Sequence, residues 1–141
     1  MEGQFVKQHT SIDRAIDIAL WMNFKYRLEK RVFGVTYYKK TKLYQIIENQ
    51  GRKNAKSLPI PKDYSQMSYE QIQMIRADSD PFNHWEEIMG LFSVTHGELL
   101  RFILMYNIPL DKIIRYEIAA RGHDQNNQWV GFDKAQEIWF K

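Results

Sequence analysis

Helix start and stop signals follow one another closely in residues 63–141, and they constrain the fold more than any other feature. Ser68 and Gln71 have the spacing of a capping box, in which two side chains satisfy backbone N–H groups at a helix start. Proline favours the first helical position, so Asp80–Pro81 and Pro109 mark further starts. These signals and the apolar spacing between them predict helices from Tyr69 to Ala77, from Asp80 through Phe92, from Thr95 to Tyr106, from Pro109 to Arg121 and from about Asp133 to Phe140.

One long helix is predicted near the N-terminus, from about Ser11 to Val32. Its apolar residues recur every three or four positions, as on one face of a helix, at Ile12, Ile16, Ala19, Leu20, Phe24 and Leu28. Asp13 lies near the positive end of the helix dipole, and Lys30 lies near its negative end. Dipole complementarity therefore explains part of the charge pattern in this segment.

Residues 32–47 have two interpretations. Val32 to Tyr38 favour a strand, and Lys39 to Lys42 would then turn a β-hairpin into Leu43 to Ile47. The alternative, which we favour from the sequence, is a helix that starts near Thr36 and stops at Gly51. Prolines in the connection of about 51–67 exclude a helix interior there. We predict a single, mainly α domain of five or six helices, with the small β-hairpin at residues 32–47 as the alternative.

Composition excludes several classes of protein. A chain of 141 residues with 44% hydrophobic content is long enough for one globular domain that buries about two thirds of its unfolded surface. Without cysteine there is no disulfide framework, thiolate nucleophile, zinc finger or iron–sulfur cluster. No apolar run reaches the length of a signal peptide core or a membrane span. We therefore expect a cytoplasmic protein that does not act at a membrane.

Charge is distributed unevenly. Residues 1–62 carry 13 Lys or Arg against 5 Asp or Glu, and residues 63–141 carry 7 against 12, so the halves are about +8 and −5. Cations can neutralise phosphates while aromatic rings stack on bases, which predicts DNA or RNA binding by the basic half. The residues expected at that site are Lys25, Arg27, Lys30, Arg31, Tyr37, Tyr38, Lys39, Lys40, Lys42, Arg52 and Lys53. The alternative is a solvated basic face over core aromatics.

The two helices joined at Asn107 have apolar positions like those of a helix-turn-helix motif. Leu110, Ile114 and Ile118 would then face DNA without donors for base edges, and Asp111 would repel phosphate. We therefore favour a packed helical hairpin, with five residues expected to be buried: Leu99, Phe102, Ile103, Ile113 and Ile114. If the stripe of Leu110, Ile114 and Ile118 is exposed instead, it predicts an interface in a homo-oligomer or with another protein partner.

Signals for catalysis are weak. His84 and Glu87 lie one helical turn apart, and His96 and Glu98 open the next helix, so the four could hold an ion. Their positions near helix starts explain them equally well. The glycines are scattered singly and the serines lack a glycine-flanked elbow, which argues against phosphate loops and hydrolase nucleophiles. We expect no metal or other cofactor, and binding rather than catalysis. Nucleic-acid binding is the first hypothesis, and a homo-oligomeric interaction module is the second.

Overall fold

The computed structural model describes residues 8–9, 11–48 and 57–141. The chain divides into two compact units, Met1–Met67 and Ser68–Lys141. The division falls at the end of the predicted connection and close to the boundary between the basic and acidic halves. Arg52 and Lys53, which are predicted to bind nucleic acid, lie outside the described residues.

The first unit contains a helix and a small antiparallel sheet. Its elements are β1 (Gln8–His9), α1 (Ile12–Lys25), a 3-10 turn (Arg27–Glu29), β2 (Phe33–Tyr38) and β3 (Leu43–Glu48). The strands are ordered β1-β3-β2, and β2 pairs with β3 so that Val35 lies opposite Ile46. The hairpin interpretation of residues 32–47 is therefore confirmed, and the helix that we favoured from the sequence is wrong.

Packing against α1 explains why the strands form. Side chains alternate between the two faces of a strand, so β2 and β3 present Phe33, Val35 and Ile46 on one face. These three side chains form a buried cluster with Ala15 and Ala19 of α1. The small alanine side chains allow the helix to approach the sheet closely. If residues 36–47 formed a helix, this burial would be lost. Local propensity does not include such packing between distant parts of the chain.

The outer edge of β2 is covered by polar contacts. Asn23 of α1 accepts a hydrogen bond from the Phe33 N–H at 2.6 Å and donates one to the Phe33 carbonyl at 3.1 Å. The Leu58 N–H donates to the Val35 carbonyl at 2.7 Å. Helix α1 ends at Lys25, before the predicted end at Val32, and Lys30 has a left-handed φ of 55°. The chain thereby reverses direction into β2.

The second unit contains five helices: α2 (Tyr69–Ala77), α3 (Asn83–Ser93), α4 (Gly97–Met105), α5 (Leu110–Ala120) and α6 (Phe132–Trp139). The Ser68 and Gln71 capping box is present, and α2 has the predicted bounds. Helix α4 begins at Gly97 with His96 as its N-cap, after the predicted start at Thr95, whose hydroxyl donates to the Leu91 carbonyl at 3.0 Å. With α1, the described residues form six helices and the hairpin, which confirms the mainly α fold.

A tight loop joins α5 to α6, and these two helices pack against each other. Gly122 has a φ of 72°, and a Cβ atom there would lie 2.2 Å from the Trp129 ring. The Val130 N–H donates to the Gly122 carbonyl at 2.9 Å, and the Trp139 indole N–H donates to the His123 carbonyl at 2.8 Å. Gly122 therefore lets the Trp129 ring lie close to the backbone, which a residue with a side chain would prevent.

Helices α3 and α4 meet at an angle of 93°. Together they are long and apolar enough to match a broken membrane span, but they are bent at the break between them. Within the described ranges, no single helix has both the length and the apolar character needed to cross a bilayer.

Candidate interaction surfaces

The turn between β2 and β3 presents three lysines, which we call the lysine turn: Lys39, Lys40 and Lys42. The turn is closed by a hydrogen bond from the Lys42 N–H to the Tyr38 carbonyl at 2.8 Å, and Lys42 has a left-handed φ of 58°. All three side chains are exposed, and none pairs with a carboxylate of the described part of the chain. The turn therefore presents three positive charges close together.

The two tyrosines predicted at the nucleic-acid site lie on opposite faces of the hairpin. Tyr37 is paired with Tyr44, and their ring centroids are 4.9 Å apart. Tyr38 is the next residue along β2 and is paired with Leu43, so its side chain points to the other face. Both rings are partly exposed. One bound strand could therefore stack on only one of them at this point.

Arg31 is held inside the first unit. Its guanidinium donates to the two carboxylate oxygens of Glu48 at 3.0 and 2.9 Å. It also lies over the rings of Tyr26 and Phe33, with centroid distances of 4.3 and 5.1 Å. The hydrogen bonds to Glu48 raise the pKa of Arg31 above its ordinary value. The structure thus gives Arg31 a carboxylate partner within the chain, so binding a phosphate would compete with that pair.

The end of α1 and the turn after it expose a group of apolar side chains. This group, which we call the α1 patch, consists of Trp21, Phe24, Leu28 and Val32. The Trp21 and Phe24 rings are 5.7 Å apart, and the Arg27 guanidinium lies 4.2 Å from the Phe24 centroid while it donates to the Phe24 carbonyl. Exposed Lys25 and Lys30 lie beside the patch in sequence.

Many of the exposed apolar side chains lie on α3, α4 and α5 or directly after these helices. We call this group the helical apolar surface, and its twelve exposed residues are Ile88, Leu91, Phe92, Val94, Leu99, Phe102, Leu104, Met105, Tyr106, Ile113, Ile114 and Tyr116. Sequence reasoning identified most of these as apolar but expected the helices to bury them against one another.

Helix α4 shows this exposure most clearly. Leu104 and Met105 are 77% and 73% exposed, while Leu100 is only half-buried. The charged residues of α4 are Glu98 and Arg101, which form an ion pair with each other. A helix that is apolar on almost every side normally lies inside a protein core or an interface. Within the second unit, α4 lacks such a cover.

The expected burial of the helical hairpin is therefore wrong for four residues. Leu99, Phe102, Ile113 and Ile114 are all exposed, and only Ile103 is partly buried. The physical reason is that α5 packs against α6, where Ala119 and Ala135 are the buried residues. The predicted interface stripe is only partly available, because Ile114 is 59% exposed whereas Leu110 and Ile118 are half-buried.

His84 lies at the start of α3 between two aromatic side chains. Its ring is stacked on Phe82 at a centroid distance of 5.9 Å and lies 5.5 Å from the Trp85 ring. Burial lowers the pKa of His84. Among the described residues, His, Asp and Glu side chains form no group of three able to hold a metal ion. His84, Glu87, His96 and Glu98 are thus not brought together as an ion site.

The sequence carried signals for two features that sequence reasoning missed. Asn23, a poor helix former near the end of α1, pairs with the backbone of β2. Phe24 and Leu28 continue the apolar spacing of α1, but they alternate with Lys25, Arg27 and Lys30. That alternation is typical of a partly exposed face.

Comparisons of the chain with protein-family models, with curated proteins and with solved structures found no match. Function is therefore inferred from the surfaces of the molecule itself.

Proposed function

We propose that this protein is a self-associating protein-interaction module, and that its second unit binds a second copy through the helical apolar surface. The observation that carries the proposal is the exposure of α4 on nearly all sides. Monomeric proteins rarely expose contiguous apolar patches of more than a few hundred Å², and larger ones mark binding sites. Binding, not catalysis, is the role that such a surface supports.

The size of the surface suits a stable complex. At half exposure each large side chain presents on the order of 100 Å², so the twelve residues of the helical apolar surface present roughly 1,000 Å². A stable interface buries about 800 Å² on each partner. Burying most of these side chains would therefore supply enough apolar area on one partner for a stable complex.

Exposed charged side chains lie on the same three helices as the apolar residues. They are Glu86, Glu87, Glu98, Asp111 and Glu117, together with Arg101, Lys112 and Arg115, and Arg101 pairs with Glu98. Interfaces typically combine an apolar centre with a polar rim. These carboxylates would keep the unbound surface hydrated and restrict the partners that it accepts.

Substitution of the two most exposed residues of α4 tests the proposal. In the double variant Leu104→Gln/Met105→Gln we expect a monomer with wild-type circular dichroism, because neither side chain supports the fold of a single copy. Sedimentation equilibrium measures the mass. Met74→Gln, which changes an exposed methionine of α2, is the matched control and should associate like the wild type. A monomeric wild type over the accessible concentration range would contradict the proposal.

A second candidate function is binding of DNA or RNA by the first unit, and the lysine turn favours it. Three exposed lysines on one turn, beside partly exposed Tyr38, combine phosphate neutralisation with one stacking ring. Arg27 and Arg31 would contribute less than the sequence predicts, because both are engaged within the unit. Cytoplasmic location stays a prediction alongside both functions.

A further inference from the structure

The α1 patch has the properties of a binding surface for a partner that is both acidic and apolar. Phe24 and Leu28 are 54% and 56% exposed, and Trp21 contacts Phe24 through its ring. The flanking Lys25 and Lys30 are exposed, and neither is paired with a carboxylate of the described residues. Exposed tryptophan and phenylalanine beside cations are typical of binding surfaces.

The helical apolar surface has the complementary charge. The helices that carry it have five exposed carboxylates against three exposed cations, Arg101, Lys112 and Arg115, and residues 63–141 carry 12 acidic against 7 basic side chains. Two such surfaces facing each other would bring like charges together, which disfavours that arrangement. Residues 1–62 carry 13 basic against 5 acidic side chains. A second copy therefore offers a better electrostatic match through its first unit than through its second.

We propose that the α1 patch of one copy binds the helical apolar surface of a second copy, so that each protomer provides one surface and receives the other. This inference rests on the proposed self-association and specifies its partner surface. Docking between two copies in both directions makes two equivalent contacts, whereas docking onto successive copies makes a ring or an open chain, and the measured mass distinguishes these. Opposite charges at each contact set the orientation of the two copies.

A mixing experiment tests the arrangement. In a dimer of Phe24→Gln/Leu28→Gln, both contacts have an altered α1 patch, and in a dimer of Leu104→Gln/Met105→Gln both have an altered helical surface. We expect each double variant alone to be monomeric. An equimolar mixture retains one contact between two unaltered surfaces, so it should form a heterodimer that binds more weakly than the wild type. Sedimentation velocity with one variant fluorescently labelled detects it.

The possible outcomes separate the two proposals. If the Phe24→Gln/Leu28→Gln variant keeps the wild-type dimer mass, the helical surfaces pair with each other, and this inference fails while self-association stands. If neither variant changes the mass of a wild-type oligomer, or if the wild type is monomeric, the proposed function fails as well. Circular dichroism of each variant verifies that a lower oligomeric mass is not caused by unfolding.

A charge reversal tests the orientation. Lys25→Glu/Lys30→Glu should weaken the dimer at least tenfold at low salt, and the difference should shrink as salt rises. Lys39→Glu/Lys40→Glu makes the same change in net charge on the lysine turn and should leave the dissociation constant unchanged. If both double variants weaken the dimer equally, net charge alone explains the effect, and the proposed contact is overturned.

Discussion

Asn23 binds the backbone of Phe33 as a neighbouring strand would, with its amide oxygen 2.6 Å from the Phe33 nitrogen and its amide nitrogen 3.1 Å from the Phe33 oxygen. The pair joins α1 to the edge of β2 next to the buried core of the first unit. A single side chain thus satisfies both backbone groups of a buried residue.

Replacing Asn23 with alanine should lower the free energy of unfolding by about 1–3 kcal/mol, because two backbone groups lose their partner. Urea denaturation monitored by circular dichroism measures the change. Asn83→Ala, which removes an exposed amide at the start of α3, should change stability by less than about 0.5 kcal/mol. Equal effects of the two substitutions would show that the Asn23 contact contributes no specific stability.

Glu48→Gln should lower the melting temperature, because it removes the carboxylate that binds the Arg31 guanidinium through two hydrogen bonds. Arg31→Lys should also lower it, since an ammonium cannot reproduce the planar, two-point contact. Differential scanning calorimetry is the measurement. Glu70→Gln on the exposed surface of α2 serves as the control. If both the Arg31→Lys and the Glu48→Gln variants have the wild-type melting temperature, the pair does not contribute to stability.

If the first unit binds nucleic acid, Lys39→Glu/Lys40→Glu/Lys42→Glu should weaken binding. Three lost phosphate contacts would reduce the slope of log affinity against log salt by about 2–3. Fluorescence anisotropy with short DNA and RNA probes at several salt concentrations measures both quantities. Lys62→Glu/Lys112→Glu/Lys141→Glu makes the same change in charge at exposed positions elsewhere. A slope that falls equally in the two variants would point to nonspecific attraction.

Acid should destabilise the second unit through His84. Burial lowers the pKa of His84 below its ordinary value of 6.5, so the unfolded chain takes up a proton at a higher pH than the folded chain. The free energy of unfolding therefore falls as pH decreases through about 6.5, and it levels off below the folded pKa. Urea titrations between pH 5 and 8 measure this. His84→Gln should flatten the profile, and a pH dependence unchanged by this substitution would contradict the prediction.

Gly122→Ala should destabilise the second unit by more than about 1 kcal/mol, because φ is 72° and the added Cβ would lie 2.2 Å from the Trp129 ring. Thermal melting and Trp fluorescence report the effect. Gly90→Ala is the opposite case, since it lies in α3 with open space around it. That substitution should stabilise the protein by up to about 1 kcal/mol, and destabilisation there would contradict this reasoning.

Local signals in the sequence predicted the five helices of the second unit, but the start predicted at Asp80–Pro81 is wrong, because α3 begins at Asn83 after N-cap Phe82. The Ser68 and Gln71 pair predicts the start of α2, because both members of a capping box lie within one turn. The choice between helix and hairpin for residues 32–47 was not available from local signals. It depends on pairing between β2 and β3 and on the alanine face of α1, which are nonlocal contacts.

The candidate surfaces were predictable only in part. Periodicity identifies the apolar residues of α4 and α5, such as Phe102 and Ile113, but it does not say what covers them. Charge identifies Arg31 as a cation, but its pairing with Glu48, seventeen residues away, is a property of the fold. Exposure and pairing are set by tertiary structure, so they could not be assigned from residue type and spacing.

The outer edge of β2 also bears on the addition of further chains to the sheet. A strand edge with unpaired N–H and carbonyl groups is a template on which further chains add, and added chains can build cross-β fibrils. At Phe33 and Val35 that template is already occupied, by the Asn23 amide and by the Leu58 backbone. The same few hydrogen bonds that join α1 and residue 58 to the sheet therefore leave fewer backbone groups at this end of the edge for an added strand.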